Sequence, residues 1–252
     1  MVQRIRLWCA RALSVLALAT SAAYGGHPML SEDTGTQGRG NTETELGYAW
    51  THHQDDTSIF LFQPQFSYGA SSTLDLIIQP SWTLVDQPGT ARERGLGDTN
   101  LDIKWRFYGA APWSLGVRAG FALPTAHGDL GLPHDKVSPH AILVLTGDFT
   151  PLTFTANLGY ARVPDDSGAR PNLYHFSAAA TYAANERLFL VLDTAVDSDP
   201  DSRRATPPTV VLAGAIYTAR PGLDLDVGYR NRVNTAVRER QWLLGITYRG
   251  AL

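Results

Sequence analysis

Apolar and polar residues alternate with a period of two along most of the chain after residue 41. In Trp113–Leu123 one face carries Trp, Leu, Val, Ala, Phe and Leu, and the other carries Ser, Gly, Arg, Gly and Ala. Successive side chains of a β-strand leave opposite faces of the sheet, so this alternation predicts a strand with one apolar face. The same pattern predicts twelve strands, at residues 42–52, 58–68, 73–84, 98–108, 113–123, 138–148, 151–162, 173–183, 187–197, 209–218, 222–231 and 239–249.

Strand length and loop length together predict a membrane barrel. Strands of about ten residues can cross a bilayer at a tilt, and no later apolar run reaches the roughly 18 residues of a spanning helix. The connections alternate between short turns, as at 109–112, and longer polar loops, as at 198–208. Outer-membrane barrels have short periplasmic turns and long extracellular loops. The predicted fold class is therefore all-β, a single transmembrane antiparallel β-barrel of about 12 strands with both termini in the periplasm.

Aromatic residues favour this barrel over a soluble β-sandwich with tyrosine and tryptophan in its core. They collect near both ends of the predicted strands, where amphipathic rings prefer the two membrane interfaces. The group near the short turns consists of Tyr68, Phe107, Trp113, Tyr182, Tyr217 and Tyr248. The group toward the long loops consists of Trp50, Phe60, Trp82, Phe121, Tyr160, Tyr229 and Trp242.

The amino terminus has the three regions of a secretory signal peptide. Residues 1–11 carry three arginines and no acid, residues 12–19 are apolar, and small residues follow. This order predicts a signal peptide at 1–23, with cleavage possible up to residue 25. Residues 24–41 then form a periplasmic amino-terminal segment or a plug that folds into the lumen, and 42–252 form the barrel. The destination is the cell outer membrane, reached through the inner membrane.

Composition excludes several classes of function. The chain has 21 basic and 24 acidic residues, a formal net charge of -3, which gives no basic footprint for nucleic acid. Its one cysteine, Cys9, excludes a disulfide scaffold and a cysteine-based zinc site. We expect no cofactor. The partners expected are outer-membrane lipid, a small-molecule solute and the barrel-assembly machinery, with the oligomeric state left open.

Three motifs resemble a known family. Residues 27–38 read HPMLSEDTGTQG, and GLGD at 95–98 leads into KWRFY at 104–108, while LPT stands at 123–125. These resemble elements of the proteobacterial outer-membrane proteins grouped under the meta-pathway of phenol degradation or as transporters. The resemblance implies a barrel that carries small solutes, with aromatic compounds as candidates. The chain departs from the family pattern at Ala126, where glycine is usual, and ends in YRGAL rather than in the terminal aromatic typical of barrel-assembly signals.

If the apolar faces meet lipid, the charged residues of the opposite faces must point into the lumen, because a charge in lipid costs several kcal/mol. These residues are the candidates for lining the lumen or binding substrate. They are Glu43, Glu45, Asp75, Asp102, Lys104, Arg106, Arg118, Asp224, Asp226 and Arg230. They are also the ingredients of a salt-bridge network that fills a narrow lumen without transport, and this alternative stays open.

Two inward arginines offer a more specific hypothesis. Arg106 and Arg118 lie on adjacent predicted strands near the turn at 109–112. As a pair they could hold a carboxylate or phenolate, provided that Asp102 does not already neutralise them. Inward apolar residues such as Ile77, Leu173 and Phe189 would retain the rest of an amphipathic solute.

Two further hypotheses have less support. A membrane-embedded lipid hydrolase needs a serine and a histidine with an orienting partner, and only the pairs Ser138/His140 and His175/Ser177 share a strand face. The acid-rich segment 197–201 could bind calcium, but it lacks the glycine and distal glutamate of an EF-hand loop. We therefore expect no catalytic residue and no metal site, and interpret the chain as a channel rather than an enzyme.

Overall fold

The computed structural model describes residues 27–128, 136–163, 169–234 and 239–251, so the predicted signal peptide lies outside the described residues. Among these residues, no helix is long and apolar enough to cross a membrane. The strands are β1 Asn41–His53, β2 Ser58–Gly69, β3 Leu74–Gln79, β4 Trp82–Asp86, β5 Glu93–Leu96, β6 Thr99–Ala110, β7 Trp113–Leu123, β8 His127–Gly128, β9 Ser138–Phe149, β10 Leu152–Arg162, β11 Asn172–Ala183, β12 Leu188–Asp197, β13 Thr209–Arg220, β14 Leu223–Arg232 and β15 Glu239–Ala251.

These segments form one antiparallel sheet that closes on itself. Strand β1 pairs with β15 on one side and with β2 on the other, which closes the wall of the barrel. Closure satisfies the backbone hydrogen-bonding groups that a lipid environment cannot satisfy. The short segments combine into longer spans. Strands β3 and β4 both pair with β2 and together form the third span. Strand β5 pairs with β4 and β6 pairs with β3, so β5 and β6 together form the fourth span. The result is a closed barrel of 12 spans, which confirms the predicted fold.

The third and fourth spans differ from the prediction. The strand predicted to end at residue 84 continues to Asp86, and β5 pairs with it inside the stretch predicted to be a loop at 85–97. That stretch is charged and does not alternate, so a pattern-based reading ends the strand too early. Backbone pairing does not require an apolar face where the hairpin lies beyond the membrane. Pro80, which has no N–H to donate, marks the break between β3 and β4.

The two faces of the barrel wall separate as predicted. On β6, Leu101 and Ile103 are exposed on the outer surface, whereas Asn100 and Asp102, which alternate with them, are buried. Aromatic rings mark both ends of the wall. Trp113 and Phe149 contact edge to face near the short turns, and Trp50 stacks on Phe60 toward the long loops.

The core of the molecule lies inside the barrel. Leu30, which precedes the first strand, packs in a buried apolar cluster with Leu61, Val191, Leu212 and Leu243 from the inner wall. The chain reaches β1 through Gly38 and Gly40, whose φ angles of 77° and 81° are readily adopted only by glycine. The Gly40 N–H donates to the Gly69 carbonyl at the short-turn end of the wall. The segment before β1 therefore enters the barrel from the short-turn end.

The assignment of faces predicts opposite effects at two neighbouring residues. Leu101→Arg should block assembly, because an arginine facing lipid near the midplane costs about 2–4 kcal/mol. Asn100→Ser, one residue away on the inner face, should be tolerated. Heat-modifiable gel mobility of outer-membrane fractions measures the folded barrel in each case. Equal amounts of folded protein for the two variants would show that the assigned faces are wrong.

Candidate functional site

Residues 27–38, here called the luminal segment, contact the inner wall on several sides. Near the short turns, the Thr34 hydroxyl contacts the Ser114 hydroxyl, and the Thr34 N–H donates to Thr146 at 3.1 Å. Further into the barrel, the His27 ring pairs with Asp226, and the backbone N–H of His27 donates to Glu45 at 3.1 Å. The segment thus runs from the barrel end into the middle of the lumen.

Glu32 of the luminal segment binds two cations of the wall. Lys104 Nζ lies 2.7 Å from Glu32 Oε1, and Arg118 Nη1 lies 2.9 Å from Oε2. Lys104 on β6 and Arg118 on β7 are direct cross-strand partners, which places their side chains together. Arg118 is fully buried. Each oxygen of the carboxylate therefore has its own cationic donor, an arrangement that gives strong charge-assisted hydrogen bonds.

A second layer of contacts fixes Arg118. Its Nε donates to Asp102 at 2.8 Å, and its Nη2 donates to Gln79 at 3.2 Å. His140 Nε2 lies 2.8 Å from the other oxygen of Asp102. A buried guanidinium needs such paired and hydrogen-bonded surroundings, because an uncompensated buried charge is strongly destabilising. Arg118 is therefore held in one orientation, with Nη1 directed at Glu32.

Backbone groups of the luminal segment bind polar residues on the opposite side of the wall. The carboxylate of Asp193 accepts hydrogen bonds from the Leu30 and Ser31 N–H groups at 2.7 and 2.8 Å. The Asn157 amide accepts from the Glu32 N–H at 2.7 Å and donates to the Glu32 carbonyl at 2.8 Å. These contacts hold the backbone of residues 30–32 as a strand partner would, but through side chains.

Glycines leave room for the rings of the luminal segment. A Cβ at Gly228 would lie 3.0 Å from Pro28 Cβ, and one at Gly47 would lie 2.7 Å from His27 Cδ2. Contacts this short require Pro28 or the ring of His27 to shift, so a larger residue at either position would disturb the fit of these two rings. The wall is thus shaped to fit residues 27 and 28 as well as charged to bind residue 32.

Most of the candidate residues take part in three groups around the luminal segment. Asp102, Lys104 and Arg118 form the site around Glu32. In the second group, Glu45 and Asp226 both contact His27. In the third group, Arg249 forms ion pairs with Glu43 and Asp224. Gln37 extends the third group through hydrogen bonds to Glu43 and Asp75. Arg230 is buried near Glu239, with Nη2 3.9 Å from Oε1.

Arg106 does not form the expected pair with Arg118. It is half-buried and donates to the Ser72 carbonyl at 3.2 Å, whereas Arg118 is bound by Asp102 and Glu32. The condition that Asp102 leave Arg118 free is therefore not met. Cross-strand register explains the difference, since Arg118 lies opposite Lys104 and Arg106 lies opposite Gly116. The cation beside Arg118 is Lys104.

Sequence reasoning missed the acid that completes this site. Glu32 lies in a segment without alternation, so no pattern assigned its side chain a direction. The signal available was the resemblance motif itself, which spans residues 27–38. The next residue of that segment, Asp33, also meets the wall. The Lys104 ammonium lies 3.3 Å from Asp33 Oδ1 and lowers the pKa of the Asp33 carboxyl. The motif therefore supplies two anions to one cation of the wall.

The histidine and serine pairs lie on the inner face, not the lipid face. His175 Nδ1 is 2.7 Å from Asp197, its Nε2 is 3.0 Å from Ser177 Oγ, and Ser177 is fully buried. Ser177 also bonds Asn157 at 3.1 Å, which connects the pair to the luminal segment. A lipid hydrolase would need such groups to reach lipid, and this arrangement does not place them there.

The acidic loop residues pair with arginines of the same loop. Hydrogen bonds from Arg203 lower the pKa of Asp201 to about 2, and Asp199 lies 3.5 Å from Arg204. Within the part of the chain that the structure describes, no group of three or more His, Cys, Asp and Glu side chains is placed to hold a metal ion. The calcium-binding hypothesis thus has no supporting geometry at residues 197–201.

Comparisons with known proteins agree with this architecture. The family model described as "Putative MetA-pathway of phenol degradation" matches residues 23–250. The COG4313 outer membrane channel from Pseudomonas putida F1 aligns with a TM-score of 0.69 at 13% identity, over 86% of this chain and 98% of that one. The KdgM porin in complex with disordered oligogalacturonate gives 0.54 at 8% identity, over 81% and 98%. No curated protein sequence matches the chain. At these identities the structures show the fold of an outer-membrane barrel.

The Glu32 site predicts unequal roles for two arginines. Arg118→Gln should lower the free energy of unfolding by about 3–5 kcal/mol, because it leaves Asp102 and Glu32 buried without their shared cation. Arg106→Gln should cost less than about 1 kcal/mol, since Arg106 is partly exposed. Urea unfolding in lipid vesicles, followed by tryptophan fluorescence, measures both. Similar losses for the two variants would contradict the described site.

Proposed function

Because the chain belongs to the outer-membrane family described as "Putative MetA-pathway of phenol degradation", we propose that it is an outer-membrane channel for small solutes, closed by its own luminal segment. In this proposal residues 1–23 are a cleaved signal peptide, residues 24–41 include the plug, and the rest is the barrel. The barrel-assembly machinery inserts it among outer-membrane lipids. The P. putida barrel, similar in fold, is itself described as a channel, which supports the proposal.

One observation supports the proposal that the luminal segment is a removable plug. The described backbone hydrogen bonds of residues 27–37 to the wall go to side chains rather than to the strand ladder. The donors are the N–H groups of His27, Leu30, Ser31, Glu32, Thr34 and Gln37. Every wall strand keeps its own ladder of backbone pairs, so the segment can leave the lumen without opening the barrel.

The fit of the segment supports a closed resting state. Met29 and Leu30 pack on the inner apolar cluster, and a cavity of about 40 Å³ remains beside them. That volume holds at most a few water molecules. With the segment in place, this part of the lumen has no room for an organic solute.

The lumen suits weakly polar solutes because its two sides differ. Lys104, Arg118 and Asp102 lie on one side, and Leu61, Val191 and Leu212 line the apolar cluster on another. A few polar groups orient a ligand while apolar walls retain it. We therefore propose small, weakly polar molecules as solutes, aromatic compounds among them.

A barrel filled permanently by salt bridges, with no transport, is the second candidate. The buried network of Glu32, Arg118 and Asp102 favours it, since buried charges are usually paired whether or not a ligand passes. The two candidates differ in whether the segment leaves the lumen. Conductance therefore separates them.

Replacing residues 27–37 with a glycine/serine linker of equal length should open the channel. The chain from residue 24, refolded and inserted in planar bilayers, should conduct only in brief events, whereas the linker variant should conduct steadily. The reason is that the linker lacks the apolar and charged contacts that hold the segment in place. If the linker variant folds, as judged by heat-modifiable mobility, and conducts while the parent shows no events at all, the segment does not leave the lumen and the filled-barrel candidate is correct. A folded linker variant that conducts no more than the parent would show that the wall itself fills the lumen.

A disulfide provides the matched control. Thr34 and Ser114 contact through their hydroxyls, and the chain after residue 9 has no cysteine, so Thr34→Cys with Ser114→Cys introduces one defined pair. Oxidation should abolish the brief conductance events, and reduction should restore them. Events that persist unchanged after oxidation would show that ions pass without movement of the segment.

A further inference from the structure

We propose that Lys104 and Arg118 form a binding site for the carboxylate of a small aromatic acid, and that Glu32 occupies this site as an internal competitor. The inference rests on the proposed channel function and names its solute class. A solute of this class would displace Glu32 and so favour release of the luminal segment.

The geometry around Glu32 is that of a carboxylate site. Lys104 Nζ and Arg118 Nη1 each meet a different oxygen of one carboxylate, at 2.7 and 2.9 Å. The other guanidinium donors of Arg118 are committed to Asp102 and Gln79. Two cationic nitrogens therefore face the lumen, spaced to meet the two oxygens of one carboxylate.

Both wall cations lose a direct ion pair when the luminal segment leaves. With the luminal segment in place, Glu32, Asp33 and Asp102 lie against Lys104 and Arg118. When the segment leaves, Arg118 keeps its ion pair with Asp102, whereas Lys104 loses both of its ion-pair partners and keeps only the longer-range attraction of Asp75, its cross-strand neighbour, and Glu43. Uncompensated buried charge is unfavourable, so an incoming carboxylate would take the place of Glu32. Because both cannot occupy the site, solute binding and plug release are thermodynamically linked.

Apolar residues beside the two cations define the rest of the ligand. Ile142 lies directly across the strand pair from Arg118, Ile77 lies across from Asp102, and both side chains are buried. Val144, next on the inner face of β9, is also buried. A carboxylate carried on a compact apolar body, such as benzoate, matches a cationic pair flanked by isoleucine and valine. A fully hydrophilic acid would forgo these contacts.

Thiol labelling of a plug cysteine tests the proposal. In Thr34→Cys, the thiol replaces a side chain that is 4% exposed, so a maleimide should react with it only when the segment leaves the lumen. Benzoate should raise the labelling rate saturably, by at least about fivefold, the lower range of typical coupling between sites. Benzyl alcohol, a neutral molecule of similar shape, should not raise it.

Variants in the same Thr34→Cys background locate the effect. Lys104→Gln should label faster without solute and lose the benzoate response, whereas Arg106→Gln, which removes a nearby cation outside the site, should keep the response. If Lys104→Gln fails to fold, Glu32→Gln serves instead. Without its internal competitor, it should bind fluorobenzoate more tightly than the parent, as measured by fluorine NMR.

Two results would overturn the proposal: equal rates with benzoate and benzyl alcohol, or a benzoate response that Lys104→Gln retains. Failure here is distinguishable from failure of the channel itself. If the linker variant conducts but benzoate has no specific effect, only the carboxylate site is wrong. If the linker variant does not conduct, the channel is wrong whatever the labelling shows.

Discussion

The structure depends on one constraint, that a charged side chain on a membrane strand must face the lumen and find a partner there. Arg118 shows the constraint most clearly, since it is fully buried and its partners come from three separate parts of the chain. Asp102 is its neighbour on β6, Gln79 ends β3, and Glu32 belongs to the luminal segment. The wall supplies two of these partners, and the segment before β1 supplies the third.

This constraint explains why the luminal segment is bound and also why it can leave. Ordering a residue costs about 1–2 kcal/mol of backbone entropy, so the segment must make many contacts to stay in the lumen. Those contacts are to side chains, and the barrel ladder does not depend on them. Closed and open states can therefore differ by a small free energy, which a solute with a suitable charge could supply.

The alternation of residues was enough to predict the barrel, because lipid outside and polar lumen inside impose a period of two on each strand. Leu101 and Asp102 illustrate this, since each faces the side that its position in the pattern predicts. The hairpin that contains β5 was missed because lipid imposes no pattern beyond the membrane. The pairing of Arg118 with Lys104 rather than Arg106 depends on strand register, which one strand's pattern does not contain.

The candidate site was predicted only in part for a similar physical reason. Asp102, Lys104 and Arg118 lie on strands and could be assigned to the inner face, whereas Glu32 lies on no strand. Its position follows from long-range contacts with Asn157 and Lys104, and no local pattern encodes them. The family motif at 27–38 indicated that the segment mattered without indicating where it lies.

Hydrogen exchange of the amides of Leu30, Ser31 and Glu32 tests the central claim most directly. These three N–H groups donate to Asp193 and Asn157 inside the barrel. The refolded chain in lipid nanodiscs should show them protected well beyond the rate of an unstructured peptide, and benzoate should reduce that protection while the strands stay protected. Exchange of these amides at the unstructured rate without any solute would contradict a luminal segment held in the barrel.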